Sequence, residues 1–405
     1  MEKSIQKIKQ LASSFLGEIT AVRRHLHMYP ELSFKEFKTA DYISDQLKAL
    51  NIPHQKGIVE TGIVAIIEGR NPASAIIALR ADMDALPINE SNDVDYKSKN
   101  SGIMHACGHD VHSASLIGAA KILTALKDDF EGTIKLIFQP GEEKLPGGAS
   151  LMIKQGVLEN PKPQSIFAQH VFPSLETGKV GFKSGMYMAS TDEIYLTIKG
   201  KGGHAAMPEH YNNPIYIAAE ILLALQQEFM HPDNKNIPDI PTVLAFGKFM
   251  ANGATNVIPD EVKVEGTFRT MDEQWRTQAH KKMKELAEKI AIEKGGTCEF
   301  EIRIGYPYLE NSPQTTEKAR NAAEEYLGKE NIVELSLRMT AEDFSFYTQH
   351  IPGCFYRLGT ANSKKGITSG VHTSTFDIDE KALETGMGLL AFLAVNELKS
   401  LQKQK

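Results

Sequence analysis

Four short apolar runs punctuate the first half of this sequence and constrain its fold more than any other feature. Residues 63–67, 76–79, 133–138 and 165–168 read as buried strands, rich in Ile, Leu, Val and Phe. Helical periodicity lies around them, over 4–27, 37–50, a stretch ending at Leu126, and 149–156. Strands alternating with helices imply an α/β domain with a mostly parallel central sheet flanked by helices on both faces. In such sheets ligands bind beyond the carboxyl ends of strands. Asp82, Asp84, Glu142, Glu143 and His170 each follow an apolar run closely and are expected at those ends.

The pattern changes near Met188. Residues 193–199, 243–249 and 261–269 alternate as half-buried strands do, 214–229 and 272–293 are helical, and 298–304 reads as a further strand. Asn252-Gly253 marks a turn between the second and third of these strands. The resulting β-α-β-β-α-β order is the ferredoxin-like arrangement, an open sheet with both helices on one face. Residues 188–305 are therefore expected to form an inserted α+β domain. Residues 1–187 and 306–405 form the first domain, the later part adding helices at 315–327 and 380–398, a segment at 341–350, a strand at 354–358 and His372.

The densest chemistry lies between Met104 and Ala114, where three histidines, one cysteine and one aspartate crowd together. Gly108 allows a tight turn between Cys107 and His109, so both can face one ion. A thiolate beside an imidazole suits a first-row transition metal better than calcium or magnesium. The plainer alternative is a polar helix start with Asp110 as its cap. Glu142-Glu143 also has two readings. Adjacent glutamates are usually solvated, but these follow an apolar strand and Pro140-Gly141. Such neighbours can divide the work of metal-assisted hydrolysis, one binding the ion and the other moving protons.

Composition narrows the class. The 405 residues suggest two domains, and 41% hydrophobic with 24% charged residues fits a globular protein with ample core. A net charge of -6 without a basic stripe argues against nucleic-acid binding, and neither a signal core nor a membrane span stands out. Three cysteines make no disulfide framework, so cytoplasmic localisation is expected.

Arg24-His-Leu-His-Met-Tyr-Pro-Glu31, Arg80-Ala-Asp-Met-Asp-Ala-Leu-Pro87, His105-Ala-Cys-Gly-His-Asp110, Gln139-Pro-Gly-Glu-Glu143 and Gly370-Val-His372 together resemble the cocatalytic metallohydrolases. That family includes aminoacylase and glutamate carboxypeptidase. The chain looks most like its amidohydrolase subfamily of hippurate hydrolases, auxin-conjugate hydrolases and N-acetyl-diaminopimelate deacetylases. The resemblance implies hydrolysis of N-acyl-L-amino acids by a metal-activated water. It implies two divalent ions (Zn²⁺, Mn²⁺, Co²⁺ or Ni²⁺) held by Cys107, His109, Glu143, His170 and His372, with Glu142 as general base. The inserted domain would act as lid and homodimer interface. His204 would help hold the oxyanion, often across the subunit boundary, while Asn256 and Arg269 contact substrate.

Two positions depart from the pattern. Asp82 stands where the wider family has a metal-binding histidine, so Asp82 and Asp84 are expected to orient ligands. Thr373-Ser374 replaces an expected Ser-Pro after His372. His25 and His27 are expected to serve structure, His105 and His112 to support the ligands, and Cys298 and Cys354 to be core thiols. A peptidase acting on dipeptides or short peptides is the alternative activity, and a non-catalytic metal- or ligand-binding homologue is the alternative class.

Overall fold

The computed structural model describes residues 2–231, 234 and 238–403. Two long helices, α1 (Glu2–Met28) and α2 (Phe37–Ala49), precede β1 (His54–Ile58), β2 (Gly62–Glu68) and β3 (Ile76–Asp82). Next come α3 (His109–Ala125), β4 (Thr133–Gln139), α4 (Gly148–Lys154), β5 (Ile166–Glu176) and β6 (Val180–Phe182). The middle of the chain supplies β7 (Asp192–Lys199), α5 (Pro214–Phe229), β8 (Thr242–Met250), β9 (Glu261–Thr270), α6 (Glu273–Glu293) and β10 (Thr297–Ile304). Then α7 (Pro313–Leu327), β11 (Ile332–Glu334), β12 (Gly353–Ala361) and α8 (Ala382–Gln402) follow. Two compact units result. The larger combines residues up to Gly185 with Glu310–Ser336 and those from Asp343 onward, and the smaller combines Met186–Leu309 with Leu337–Glu342.

The larger unit is built on an eight-stranded sheet in the order β1-β2-β4-β3-β5-β12-β6-β11. Its centre is parallel, through β4–β3, β3–β5 and β5–β12. Antiparallel pairs (β1–β2, β2–β4 and β6–β12) lie toward the edges. Every residue of β4 and β12 is buried, as strands covered on both faces must be. Helices α3 and α8 are apolar nearly all round, with Leu116, Ile117, Ile122, Leu389, Leu390 and Leu393 in one core with the sheet. Fully burying a side chain of this size contributes about 1.5–3 kcal/mol.

One expectation needs correction. β5 does not stop at residue 168: Val171 and Phe172 carry it to Glu176, paired in register with β12 through His170↔Arg357 and Val171↔Leu358. His170 thus sits within a strand rather than beyond its end. The polar Gln169-His170 pair interrupts the apolar pattern without interrupting the ladder. β1, β6 and β11 carry no comparable apolar signal: β1 is mostly polar, and β6 and β11 are only three residues long.

In the smaller unit the sheet order is β8-β9-β7-β10, antiparallel throughout. Helices α5 and α6 pack Ile221, Leu225, Met283 and Ala287 into one core with Ile194, Leu196, Val264 and Phe268 of the sheet. Asn213 and Asp272 cap these helices by accepting from Ile215 N and Trp275 N. Among the described residues no helix is long and apolar enough to cross a membrane.

Candidate metal centre

Gly108 begins α3 at φ 82°, and a Cβ there would lie 2.6 Å from Val171 Cγ2. Only glycine meets both demands, and the turn brings Cys107 and His109 to the same cluster. Asp110 is not the cap: it is buried, accepting from Arg23 Nε at 2.8 Å and lying 2.7 Å from His27 Nδ1. His27 also reaches Glu90. A buried acid held by Arg23 and His27 anchors α3 to α1.

Cys107 Sγ lies 3.4 Å from His170 Nε2 and 3.3 Å from His372 Nε2. Glu143 Oε1 is 3.2 Å from His372 Nε2 and 4.0 Å from His109 Nε2. Cys107, His109 and His170 therefore form one cluster of potential ligand atoms, and Cys107, Glu143 and His372 another, with Cys107 common to both. Glu142 joins His109 and Glu143 in a third. His372 adopts φ 61°, strained for a non-glycine residue, and its N–H donates to Ala106 O at 2.7 Å.

The surrounding hydrogen bonds set which imidazole nitrogen faces inward. His109 Nδ1 is 3.2 Å from Asp84 Oδ1, and His170 Nδ1 donates to Val171 O at 2.8 Å. In the neutral form of each ring the lone pair is on Nε2, the nitrogen facing the cluster, and His109 Nε2 has no hydrogen-bond partner among the described residues. Metal-binding histidines are held in this way, each donating its outer N–H to a carboxylate or carbonyl. Asp84 does more, accepting from Glu142 N, Glu143 N and Ser33 Oγ. His112 is fully engaged, bridging Asp82 Oδ1 at 2.6 Å and accepting from Val171 N at 2.9 Å. It supports the cluster and offers it no lone pair. His105 is buried, which lowers its pKa to about 4.

Electrostatics favour cations here. Burial, then the charges of Glu143 and Glu142, push the Cys107 thiol well above its ordinary range. Burial opposes charge on His109, but Asp82, Asp84 and Glu143 outweigh it and raise its pKa to about 10. Burial and then Arg357 hold His170 well below the usual imidazole value. A cluster of acids and a thiol this deep needs compensating positive charge, and thiolate, imidazole and carboxylate donors fit first-row divalent ions.

Sequence patterns did not expose the layer behind. Arg80 donates to Gln139 Oε1, Asp82 Oδ2 and Asp343 Oδ1 at 2.9, 2.6 and 2.7 Å. Asp343 also accepts from Gln139 Nε2 and Ala149 N. The sequence hint is an arginine and a glutamine toward the ends of largely apolar strands.

His204, Asn256 and Arg269 belong to the smaller unit. His204 and Val257 are register partners in a two-residue ladder, and Ala205 N donates to Asn256 O, so His204 and Asn256 are neighbours on an exposed edge. His204 Nδ1 accepts from Ala206 N at 3.1 Å, which leaves the proton of the neutral ring on Nε2. Arg269 is apart from them on β9, half-buried, donating to Met339 O at 3.1 Å. Cys354 is buried and Cys298 partly so, neither in a disulfide. His25 stacks on Tyr42.

A model of Peptidase family M20/M25/M40 matches residues 78–396. The N-acetyl-L-cysteine deacetylase of Bacillus subtilis is 38% identical over 371 residues, covering 92% of this chain and 86% of that protein. Thermostable carboxypeptidase 2 of Saccharolobus solfataricus is 36% identical over 394 residues, covering 96% and 98%. Among solved structures, the Bacillus subtilis YXEP protein, a dinuclear metal binding peptidase, superposes with a TM-score of 0.82 at 35% identity. That match covers 96% of this chain and 99% of the other.

Proposed function

The chain belongs to Peptidase family M20/M25/M40, and from that premise we propose that it is a metal-dependent amidohydrolase of N-acyl-L-amino acids. The observation that carries this reading is Cys107 at the meeting point of two donor clusters, with His109 and His170 presenting Nε2 lone pairs. Cys107, His109, Glu143, His170 and His372 would hold two divalent ions from the Zn²⁺, Mn²⁺, Co²⁺, Ni²⁺ group. When bound, such ions polarise a carbonyl and acidify water.

The chain's own residues supply the rest. Glu142, buried beside the cluster, accepts a proton on its carboxylate and returns it to the departing amine. Asp82 and Asp84 keep the imidazoles oriented through the bonds to His112 and His109. His204 donates its Nε2 proton to the developing oxyanion. Arg269 engages the substrate α-carboxylate in a bidentate pair, with Asn256 as a further polar contact. The protein works in the cytoplasm as a homodimer formed through the inserted unit.

A second reading has specific support, since one full-length relative is named a carboxypeptidase. A panel of N-acetyl and N-benzoyl amino acids, their methyl esters and dipeptides, assayed with metal-loaded protein, separates the two. Preferred turnover of free-acid N-acyl amino acids is expected. Exclusive turnover of peptides would transfer the assignment to peptidase. Equal kcat/KM for acids and esters would remove Arg269 from its role.

A further inference from the structure

Three consecutive backbone N–H groups of the turn that carries Glu142 and Glu143 are taken by two buried carboxylates. Gly141 N donates to Glu36 Oε1 at 2.9 Å, Glu142 N to Asp84 Oδ1 at 3.1 Å and Glu143 N to Asp84 Oδ2 at 3.0 Å. Successive N–H groups aimed one way make an anion-binding concavity, and here the anions belong to the chain itself. Asp84 also touches His109. Glu36 touches no candidate ligand and comes from a segment 105 residues upstream of Gly141.

That segment grips the turn at three points. Glu36 is completely buried with both oxygens engaged: Oε1 also accepts from Phe34 N at 2.8 Å, and Oε2 accepts from Thr61 Oγ1 at 2.8 Å. Phe34 adopts φ 63°, a left-handed conformation costly for a bulky side chain. Its ring fills the notch left by Gly141, where a Cβ would lie 2.4 Å from Phe34 Cζ. Ser33 Oγ then donates to Asp84 Oδ2 at 2.6 Å, on the oxygen that also holds Glu143 N. Strain at Phe34 persists because its neighbours on both sides are tied to the turn.

We propose that Glu36, with Phe34 and Ser33, is a positioning device that sets the Glu142–Glu143 turn at its working distance from the metal centre. This rests on the reading in which Glu142 moves the proton and Glu143 binds metal. Glu36 acts through the Gly141 N–H, so its effect is on geometry. Burial, then the nearby charge of Asp84, raises the Glu36 carboxyl to about 7. A glutamine at this position keeps a carbonyl for Gly141 N and Phe34 N and points an N–H at Thr61 Oγ1. An alanine keeps none of these.

The test uses the metal-loaded full-length protein. Glu36→Ala should lower kcat by roughly 10–100-fold while KM changes less than about threefold, since a displacement of about 1 Å costs that much in rate. Its affinity for the second equivalent of Zn²⁺, read by competition with a chromophoric chelator, should fall by roughly tenfold or more. Glu36→Gln should bring both values back to within about threefold of wild type. Ser33→Ala, which removes one hydroxyl donor and leaves the core intact, should cost roughly threefold to tenfold in kcat. It carries the test if Glu36→Ala does not fold. Wild-type kcat and Zn²⁺ affinity in folded Glu36→Ala, or in Ser33→Ala should Glu36→Ala fail to fold, overturns the proposal. Equal damage from Glu36→Gln and Glu36→Ala also overturns it, because charge and not turn geometry would then be the cause. If wild-type protein cleaves neither N-acyl amino acids nor peptides, the functional reading fails, and the Zn²⁺ affinities still decide the positioning role.

Discussion

Asp84→Asn should be far more damaging than loss of one negative charge. The two Asp84 oxygens serve four donors: Oδ1 faces His109 Nδ1 and Glu142 N, and Oδ2 faces Ser33 Oγ and Glu143 N. Asparagine must put an NH₂ in place of one of them. With the NH₂ at the Oδ1 position, it donates to His109 Nδ1, forces the proton onto Nε2 and removes the lone pair that faces the cluster. With the NH₂ at the Oδ2 position, Ser33 can rotate, but Glu143 N is left facing a donor. Either way a buried backbone N–H loses its acceptor, at a cost of about 1–3 kcal/mol. Loss of such an orienting partner weakens metal affinity by roughly 10–100-fold. The assay is chelator competition for Zn²⁺ paired with chemical denaturation of the metal-free protein. Unchanged affinity and unchanged stability together would refute the role assigned to Asp84.

Other substitutions probe separate parts of the molecule. Cys107→Ser replaces a soft thiolate shared by both donor clusters, so elemental analysis should find severely reduced metal content. Full occupancy would mean the cluster is misread. His204→Ala should lower kcat by about 10²–10³-fold with metal content unchanged. Mixing it with Glu142→Gln under subunit exchange should restore part of the activity if His204 acts across a dimer. Asp192→Asn breaks a buried cluster in the smaller unit, where Asp192 pairs with Arg276 and His280. It should cost about 3–5 kcal/mol. Burial opposes ionisation of Asp192, but these partners outweigh it and hold its carboxyl below 3.8. Its contribution is therefore complete above pH 3.8 and lost as pH falls through the lower folded value. The gap in Tm between wild type and variant should be constant near neutrality and narrow below about pH 4; a gap that widens with acid would contradict this.

Periodicity carried most of the fold. The apolar strands β3, β4 and β12 and the helices from α1 to α8 lie close to their expected positions because each buries a continuous face. The polar Gln169-His170 pair reads in sequence as a strand end, whereas β5 is held by its pairing with β12 on both sides of His170. The donor cluster was legible since Cys107 and His109 share a turn and Glu142-Glu143 follows a strand. What supports it was not. Glu36, Arg80 and Asp343 act through contacts 105, 59 and 204 residues apart in sequence, to Gly141, Gln139 and Gln139 respectively. Local patterns hold no record of such partners. The plainer alternative, Asp110 as a helix cap, gives way for the same reason, since its partner Arg23 is 87 residues away.

The proposed division of labour, in which Glu142 moves the proton while its neighbour Glu143 binds metal, is separable by one variant. Glu142→Gln should be measured for metal content and for turnover of an N-acyl amino acid in the same preparation. Two ions per chain are expected, as in wild type, with kcat lower by roughly 10²–10⁴-fold, the range of general acid–base catalysis. Near wild-type kcat at full occupancy would contradict it, and loss of an ion would make Glu142 the ligand.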